Sequence, residues 1–183
     1  MPQQRAGTRT GTVLAVVGTD VHRFDRLVRW LADWHAGHPA PCRLVVQYGH
    51  SHPPDLPDAV PVLDHAGLQR AMAEATLVVS HGGPATITEA RRHGHLPIVV
   101  PRDPAHGEHV DDHQQRFARR LAAAGLVRLC EARADLHAAL DAGLADPSRY
   151  AVAADGAVTV PPGVARVGAI VDALVASRWR RRR

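Results

Sequence analysis

The stretch of residues 75–102, ATLVVSHGGPATITEARRHGHLPIVVPR, decides the fold of this chain. Residues 76–80 form an unbroken and mostly apolar run, which predicts a strand buried on both faces of a parallel sheet. A glycine pair then ends the strand, a helix is expected over residues 85–94, and residues 96–101 predict a second buried strand. A strand, a turn, a helix and a strand in this order are typical of an α/β protein.

The same alternation continues on both sides of this stretch. Further strands are predicted over residues 12–17, 42–47 and 126–130, and further helices over residues 24–35, 68–75, 111–124, 132–145 and 163–179. The segments 50–61, HSHPPDLPDAVP, and 102–110 are expected to be loops. The predicted fold class is therefore α/β, a single Rossmann-like, doubly wound parallel sheet. It is expected over residues 12–177, between a disordered N-terminus (1–11) and a basic tail (178–183).

The charge of the chain is concentrated at its end. Formal net charge is +4, from 22 basic and 18 acidic residues, and all 22 basic residues are arginines. Arg178 and residues 180–183 supply five of these charges, so the remainder carries 17 basic against 18 acidic residues. This balance argues against a nucleic-acid partner, which requires a basic surface spread over the domain. The tail itself is expected to be a solvated terminus, with contact to anionic lipid as the alternative.

The composition also indicates the cellular compartment in which the protein is expected. No run approaches the about 18 apolar residues that a membrane span requires, and the N-terminus MPQQRAGTRTG lacks the apolar core of a secretory signal. Two cysteines, Cys42 and Cys130, form neither a disulfide framework nor a zinc spacing, and core packing is the expected role of both. A cytoplasmic location is therefore expected.

The first candidate site follows the strand 76–80. Gly82 and Gly83 let the backbone approach a ligand closely, and the helix after them presents free N–H groups and the positive end of its dipole, which suits a phosphate. His81 and the hydroxyl of Thr86 can donate to phosphate oxygens, and the Glu89 carboxylate can accept both hydroxyls of a ribose. The alternative is an ordinary glycine-rich turn with a surface glutamate. Neither of the common nucleotide-binding glycine motifs, GxGxxG or GxxxxGK[ST], is present.

A second candidate site follows the strand 96–101. Asp112, His113 and Gln114 stand where a loop becomes a helix, and such side chains can bind sugar hydroxyls. A metal site is the competing interpretation, although the spacing matches no zinc template; its ligands would come from His106, Glu108, His109, Asp111, Asp112 and His113. Gly18 and Thr19 end the first strand and are expected at the same edge of the sheet.

Four segments together carry a resemblance to a known family. They are VVGTDVHRFDRLVRW (16–30), QYGHS (47–51), the opening stretch (75–102) and EHVDDHQQRFARRLAAAGLV (108–127). The combination resembles the C-terminal, donor-binding half of GT-B glycosyltransferases of family 28. It is similar in particular to the donor subunits of split enzymes, such as the PssE- and EpsE-like subunits of bacterial exopolysaccharide synthesis.

The resemblance implies a role for each candidate residue. The diphosphate of a UDP-sugar would be held by Gly18, Thr19, His81, Gly82, Gly83 and Thr86. Glu89 would bind the ribose, and Asp112, His113 and Gln114 would bind the donor sugar. The implied reaction is inverting transfer of a hexose or N-acetylhexosamine to a lipid-linked or saccharide acceptor, with no cofactor and no metal in the site.

The chain departs from a complete GT-B enzyme because it lacks room for the acceptor-binding domain. The resemblance therefore implies a partner subunit, associated with the inner face of the membrane, that holds the acceptor and the general base, so the catalytic residue of this chain is unknown. Two other functions stay open at this stage, a nucleotide-sugar-binding regulatory protein and an epimerase or hydrolase on the same fold. A homodimer also stays open.

Overall fold

The computed structural model describes residues 11–153, which form a six-stranded parallel sheet flanked by helices. The strands are β1 (Thr12–Val16), β2 (Arg43–Gln47), β3 (Ala59–Val60), β4 (Leu77–Ser80), β5 (Ile98–Val99) and β6 (Arg128–Leu129). Their order across the sheet is β3-β2-β1-β4-β5-β6, and every pair is parallel. The order reverses between β1 and β4, so a crevice opens there at the carboxyl ends of the two strands. The predicted fold class is confirmed.

Within residues 11–153, four α-helices connect strands and a fifth follows β6. They are α1 (Asp25–Gly37), α2 (His65–Glu74), α3 (Pro84–Arg92), α4 (His113–Ala123) and α5 (Arg133–Ala145). Alternate side chains of β1 point to opposite faces of the sheet, as a strand requires. Val13 and Ala15 pack with α1 and α5, whereas Leu14 and Val16 pack with α2 and α3. Helices therefore cover both faces, and β1 is buried from Val13 onward.

The structure differs from the sequence prediction in three places. β3 forms inside the proline-rich segment that was expected to be a loop, because Val46 N–H donates to Asp58 and Tyr48 N–H donates to Val60. Two residues are too few to show a strand pattern. The strands β5 and β6 contain two residues each, fewer than the runs that predict them. A 3-10 turn, Pro104–His106, interrupts the loop after β5.

The predicted role of the cysteines in packing is consistent with their burial. Cys130 is fully buried and Cys42 packs partly buried against the same cluster of side chains. Burial raises the pKa of the Cys130 thiol to about 11 and that of Cys42 above its usual value, so both thiols stay protonated at neutral pH.

Several predictions fall on residues outside those described. These concern the N-terminal segment before Gly11, the last helix (163–179) and the basic tail (178–183). They stay predictions. None of the helices within residues 11–153 combines the length and the apolarity needed to cross a bilayer.

Candidate nucleotide-sugar site at the carboxyl edge of the sheet

His81 occupies the switch point between β1 and β4, and two glycines make room for its ring. A Cβ atom at Gly18 would lie 2.8 Å from the Cε1 atom of His81, and one at Gly83 would lie 2.5 Å from its Nε2 atom. Gly18 also has a φ of 88°, which favours glycine. The turn after β1 and the turn after β4 are therefore built around one imidazole.

The protonation state of His81 follows from its surroundings. Its Nδ1 lies 3.2 Å from the backbone oxygen of Val16 and must donate to it, because a carbonyl has no hydrogen. Burial lowers the pKa of His81 to about 4, the hydrogen bond to Val16 opposes this shift, and the charge of Arg102 adds to it. At neutral pH the ring is uncharged and Nε2 is an acceptor. Donation from His81 to a phosphate oxygen, as predicted, therefore requires that Nε2 first take up a proton.

Gln47, at the end of β2, fixes the turn after β1. Its amide oxygen accepts from the Gly18 N–H at 3.0 Å, and its amide nitrogen donates to the oxygens of Gly18 and Pro61 at 3.0 and 2.9 Å. The N–H of Gly18 is thus already hydrogen-bonded within the protein. Gly18 therefore leaves room for the His81 ring but offers no free N–H to a ligand. The sequence did not predict this role of Gln47, although an amide side chain at the end of an apolar strand is a signal for it.

The start of α3 provides the donors for an anion. Gly83 is its N-cap and offers no side-chain cap. The backbone N–H groups of Gly83, Ala85 and Thr86 have no acceptor among residues 11–153. Unpaired N–H groups at the positive end of a helix dipole are the usual cradle for phosphate. Gly82 shapes this turn with a φ of 94°.

Two clefts meet at this helix start. The first, here called the β1 cleft, has a volume of about 500 Å³ and is lined in part by Gly18, Thr19, Asp20, Leu63, Leu68 and Thr86. The second, here called the α4 cleft, has a volume of about 480 Å³ and is lined by Gly82, His113, Gln114, Phe117 and Arg120, among others. Pro84 lines both clefts. A ligand whose centre rests on the start of α3 can therefore extend in two directions.

Glu89 lies one turn further along α3. Its carboxylate accepts from the side-chain amide of Gln69 on α2 and lies 3.3 Å from the guanidinium of Arg92. The Glu89 side chain is 21% exposed and is not among the residues that line the β1 cleft. A ribose hydroxyl would thus share the carboxylate with Gln69.

The three residues predicted to bind sugar are arranged differently from one another. His113 and Gln114 line the α4 cleft, whereas Asp112 pairs with Arg116 at 3.1 Å. The amide oxygen of Gln114 is buried and has no partner among the described residues. A buried acceptor without a donor is uncommon, and a ligand hydroxyl would satisfy it.

The metal site that was the competing interpretation of the loop after β5 lacks converging ligands in the described part of the chain. Within residues 11–153, no three His, Cys, Asp or Glu side chains are placed to hold one metal ion. Glu108 is paired with Arg26 at 2.8 Å, and Asp111 lies 2.7 Å from His113 and 3.4 Å from His109. These pairs account for most of the proposed ligand set.

Arg102 holds the loops of this edge together, which the sequence did not predict. It is 1% exposed, within a segment expected to be polar and exposed. Its guanidinium donates to the backbone oxygens of Val17, His22 and Glu108 at 2.6 to 3.1 Å and lies 5.0 Å from the centre of the Phe24 ring. One buried cation thus connects the turn after β1 to the loop after β5.

The sequence profile of one family matches most of this chain. The Glycosyltransferase family 28 C-terminal domain matches residues 12–161. The chain therefore belongs to this family, and the resemblance found in the sequence is confirmed. No curated protein matches the chain significantly.

Solved structures show the same fold. The chain is similar to MurG of Acinetobacter baumannii, with a TM-score of 0.56 and 20% identity over 78% of this chain and 43% of that protein. It is also similar to the glycosyltransferase of kitacinnamycin, with a TM-score of 0.53 and 21% identity over 79% of this chain and 40% of that protein. A third similar structure is the calicheamicin glycosyltransferase CalG4, with a TM-score of 0.56 and 18% identity over 76% of this chain and 36% of that protein. The chain spans less than half the length of each.

Proposed function

We propose that this chain binds the UDP-sugar donor of a glycosyltransferase and acts as the donor half of the enzyme. The observation that carries the proposal is the start of α3, where unpaired N–H groups stand between two clefts. A nucleoside diphosphate sugar has the matching form, with a diphosphate between two bulky groups. The family match supports the same assignment.

Each end of the donor is assigned to one cleft. The apolar side chains of Leu63 and Leu68 suit the nucleoside, so it occupies the β1 cleft and extends toward Glu89. The sugar occupies the α4 cleft, where the buried oxygen of Gln114 needs a donor and a sugar supplies hydroxyls. The diphosphate rests on the N–H groups of Gly83, Ala85 and Thr86.

The reaction proposed is displacement at the anomeric carbon. An acceptor hydroxyl forms the new C–O bond, the bond to the diphosphate breaks with inversion, and the hydroxyl proton passes to a base. Negative charge grows on the leaving UDP, and the fixed N–H groups and dipole of α3 stabilise it without reorganising. This is the contribution a metal ion makes in other transferases, and we propose that none is needed here.

The acceptor half is proposed to come from a membrane-associated partner subunit that also carries the general base. Residues 11–153 form one wall of the crevice, and proximity of donor and acceptor sets the rate. The purified chain should therefore bind UDP-sugar but transfer little, and addition of the partner should restore transfer. Rapid transfer by the chain alone would overturn the split-enzyme proposal, and conversion of the sugar without any acceptor would indicate an epimerase or hydrolase.

Calorimetric titration with UDP tests the donor site. Glu89→Ala should weaken binding about 30- to 700-fold, because loss of two charge-assisted hydrogen bonds costs about 2–4 kcal/mol. Glu131→Ala, which removes a surface carboxylate paired with Arg119, is the matched control and should bind UDP as the wild type does. Unchanged UDP binding in Glu89→Ala would contradict the ribose assignment.

A further inference from the structure

The loop after β5 leads directly into the start of α4, where the donor sugar is proposed to bind. The loop contains the 3-10 turn Pro104–His106. Within residues 11–153, every hydrogen bond that joins residues 103–112 to a part of the fold other than α4 passes through Glu108. The polar anchoring of this loop therefore depends on one residue.

The side chain of Glu108 is buried against Arg26 of α1. Arg26 donates to both carboxylate oxygens of Glu108, at 2.9 and 2.8 Å, and to the backbone oxygen of Pro101 at 3.0 Å. The Arg26 and Glu108 side chains are only 13% and 5% exposed. The Glu108 carboxylate also accepts from the N–H of Asp103 at 2.9 Å, which closes the loop on itself. The planar guanidinium group suits this arrangement because it presents N–H groups to two oxygens at once.

Arg26 is itself held in place by aromatic rings and by the loop after β2. Its guanidinium lies 5.2 Å from the centre of the Phe24 ring and 4.7 Å from that of Trp30, within the range of a cation–π contact. The N–H of Phe24 donates to the hydroxyl of Ser51 at 2.9 Å, so the residue before α1 is tied to the loop after β2. The ion pair thus fastens Glu108 to a helix start that has its own supports.

Local hydrogen bonds order the short segment between Glu108 and the start of α4. The Nδ1 atom of His109 accepts from the N–H of Asp111 at 3.4 Å, and the Asp111 carboxylate accepts from the N–H of His113 at 3.0 Å. Gln114 is the next residue, and its amide oxygen is the buried acceptor without a partner among the described residues. The position of this oxygen therefore depends on where Glu108 holds the loop.

Stability alone does not explain a buried ion pair at this place. Burial of two charges has a desolvation cost that their attraction hardly repays, and an apolar pair of similar volume is often as stable or more stable. The pair does supply direction, because charge-assisted hydrogen bonds to two oxygens favour one arrangement of the side chains. Direction matters most where a loop leads to a binding residue.

We infer that Arg26 and Glu108 are positioning residues for the donor sugar: their ion pair sets the position of the start of α4, and thereby that of Gln114 in the α4 cleft. Neither residue is among those that line the α4 cleft or the β1 cleft, so both act through Gln114 and not by contact. The sugar as the ligand rests on the proposed function, whereas the anchoring of α4 is measurable without any ligand.

Backbone amide exchange of the full chain, followed by NMR, tests the anchoring. Glu108→Gln should raise the exchange rates of the first bonded amides of α4, those of His113 and Arg116, by about tenfold. The reason is that an amide group has one oxygen and cannot accept the three N–H groups that the carboxylate accepts. The amide of Ile87 in α3 should exchange as in the wild type. Unchanged exchange at His113 would overturn the inference, whatever the chain binds.

Calorimetric titration with UDP, UDP-glucose, UDP-galactose and UDP-N-acetylglucosamine tests the effect on the sugar. Glu108→Gln should bind UDP within about twofold of the wild type, while the affinity ratio between the best and the worst UDP-sugar should fall at least about threefold. Addition of Gln114→Ala should lower this ratio no further, because the two residues act in sequence. Equal losses for UDP and every UDP-sugar, additive effects of the two substitutions, or a wild type that does not discriminate among the sugars would overturn the inference.

Arg26→Lys keeps the test open if Glu108→Gln does not fold. Lysine retains the positive charge beside Glu108, but its ammonium is a point donor and cannot reproduce the planar fork. The variant should fold and show the same fall in sugar discrimination, and an unchanged ratio would contradict the inference.

Two further variants are controls. Glu131→Gln makes the same chemical change in the more exposed ion pair with Arg119 of α4 and should change neither amide exchange nor discrimination. Leu136→Val alters the core on α5, so it should lower the free energy of unfolding and leave discrimination unchanged. A fall in discrimination in Leu136→Val as large as that in Glu108→Gln would show that the ion pair acts only through stability.

The two proposals fail separately. If UDP-sugars bind and their discrimination survives Glu108→Gln, the positioning inference is wrong and the donor proposal stands. If the wild type binds neither UDP nor UDP-sugar, the donor proposal is wrong, and faster exchange at His113 in Glu108→Gln would show that the pair still positions α4.

Discussion

The ring of His81 lies so close to Gly83 that a methyl group at position 83 would sit 2.5 Å from Nε2. The backbone of Gly83 has φ −66° and ψ 130°, which any residue adopts without strain. Glycine is needed there because of its neighbour and not because of its own conformation. A substitution at Gly83 therefore tests a steric contact with His81 and not backbone strain, at the helix start where the diphosphate is proposed to bind.

Gly83→Ala should destabilise the protein by about 1–3 kcal/mol, because overpacking forces the His81 ring to move. In a His81→Ala background the same substitution should cost close to nothing. Urea denaturation of the four proteins measures this coupling. Equal costs in both backgrounds would show that the His81 ring is not what Gly83 accommodates.

His81 should make stability depend on pH. Its pKa is lowered from 6.5 to about 4 on folding, so the unfolded chain binds the extra proton between these values. The stabilising contribution is complete above pH 6.5 and is lost as pH falls toward 4, by up to about 3 kcal/mol. His81→Gln should remove this part of the profile, measured by denaturation across that range. Parallel profiles for the two proteins would contradict the burial of a neutral ring.

Gln114→Ala should change selectivity rather than stability. The substitution removes a buried oxygen that has no partner, so the free energy of unfolding should stay the same or rise. UDP affinity should be unchanged, while the preference among UDP-sugars should fall. Calorimetry with UDP and several UDP-sugars checks this, with the neighbouring Gln115→Ala as control. Equal losses for UDP and UDP-sugars would place Gln114 at the nucleotide.

Gly143→Ala should destabilise the protein although alanine favours helices. A Cβ atom at Gly143 would lie 2.7 Å from a methyl group of Leu77 and 2.9 Å from the Tyr150 ring, in the contact of α5 with the sheet. We expect a loss of about 1–3 kcal/mol, which exceeds the helix gain of about 1 kcal/mol.

Gly37→Ala is the control for this substitution. Gly37 ends α1 and has no atom within 4 Å of the new Cβ. It should be neutral or stabilising by up to about 1 kcal/mol. Denaturation of both variants compares the same chemical change in packed and open surroundings, and a stable Gly143→Ala would contradict the close contact.

Local patterns in the sequence determined the sheet and the position of the crevice. The apolar runs of β1, β2 and β4 and the helical spacing in α1 reflect burial of each segment, and burial leaves a pattern within a few residues. The glycine turn before α3 also marked the proposed cradle, because an unpaired helix start follows from the backbone itself. The short strand β3 left no such pattern, since two residues show no periodicity.

Only the tertiary structure decided how the side chains of the site are held. His81 meets Val16 across 65 residues of sequence, and Gln47 meets Gly18 across 29. Arg102 is buried because three backbone oxygens from two loops accept its N–H groups, although its own segment is polar in sequence. These contacts depend on where distant strands end relative to one another, and that relation exists only once the sheet has assembled. The sequence by itself thus determined which edge of the domain is available for a ligand, and the packing of strand ends decided which polar groups remain free to bind one.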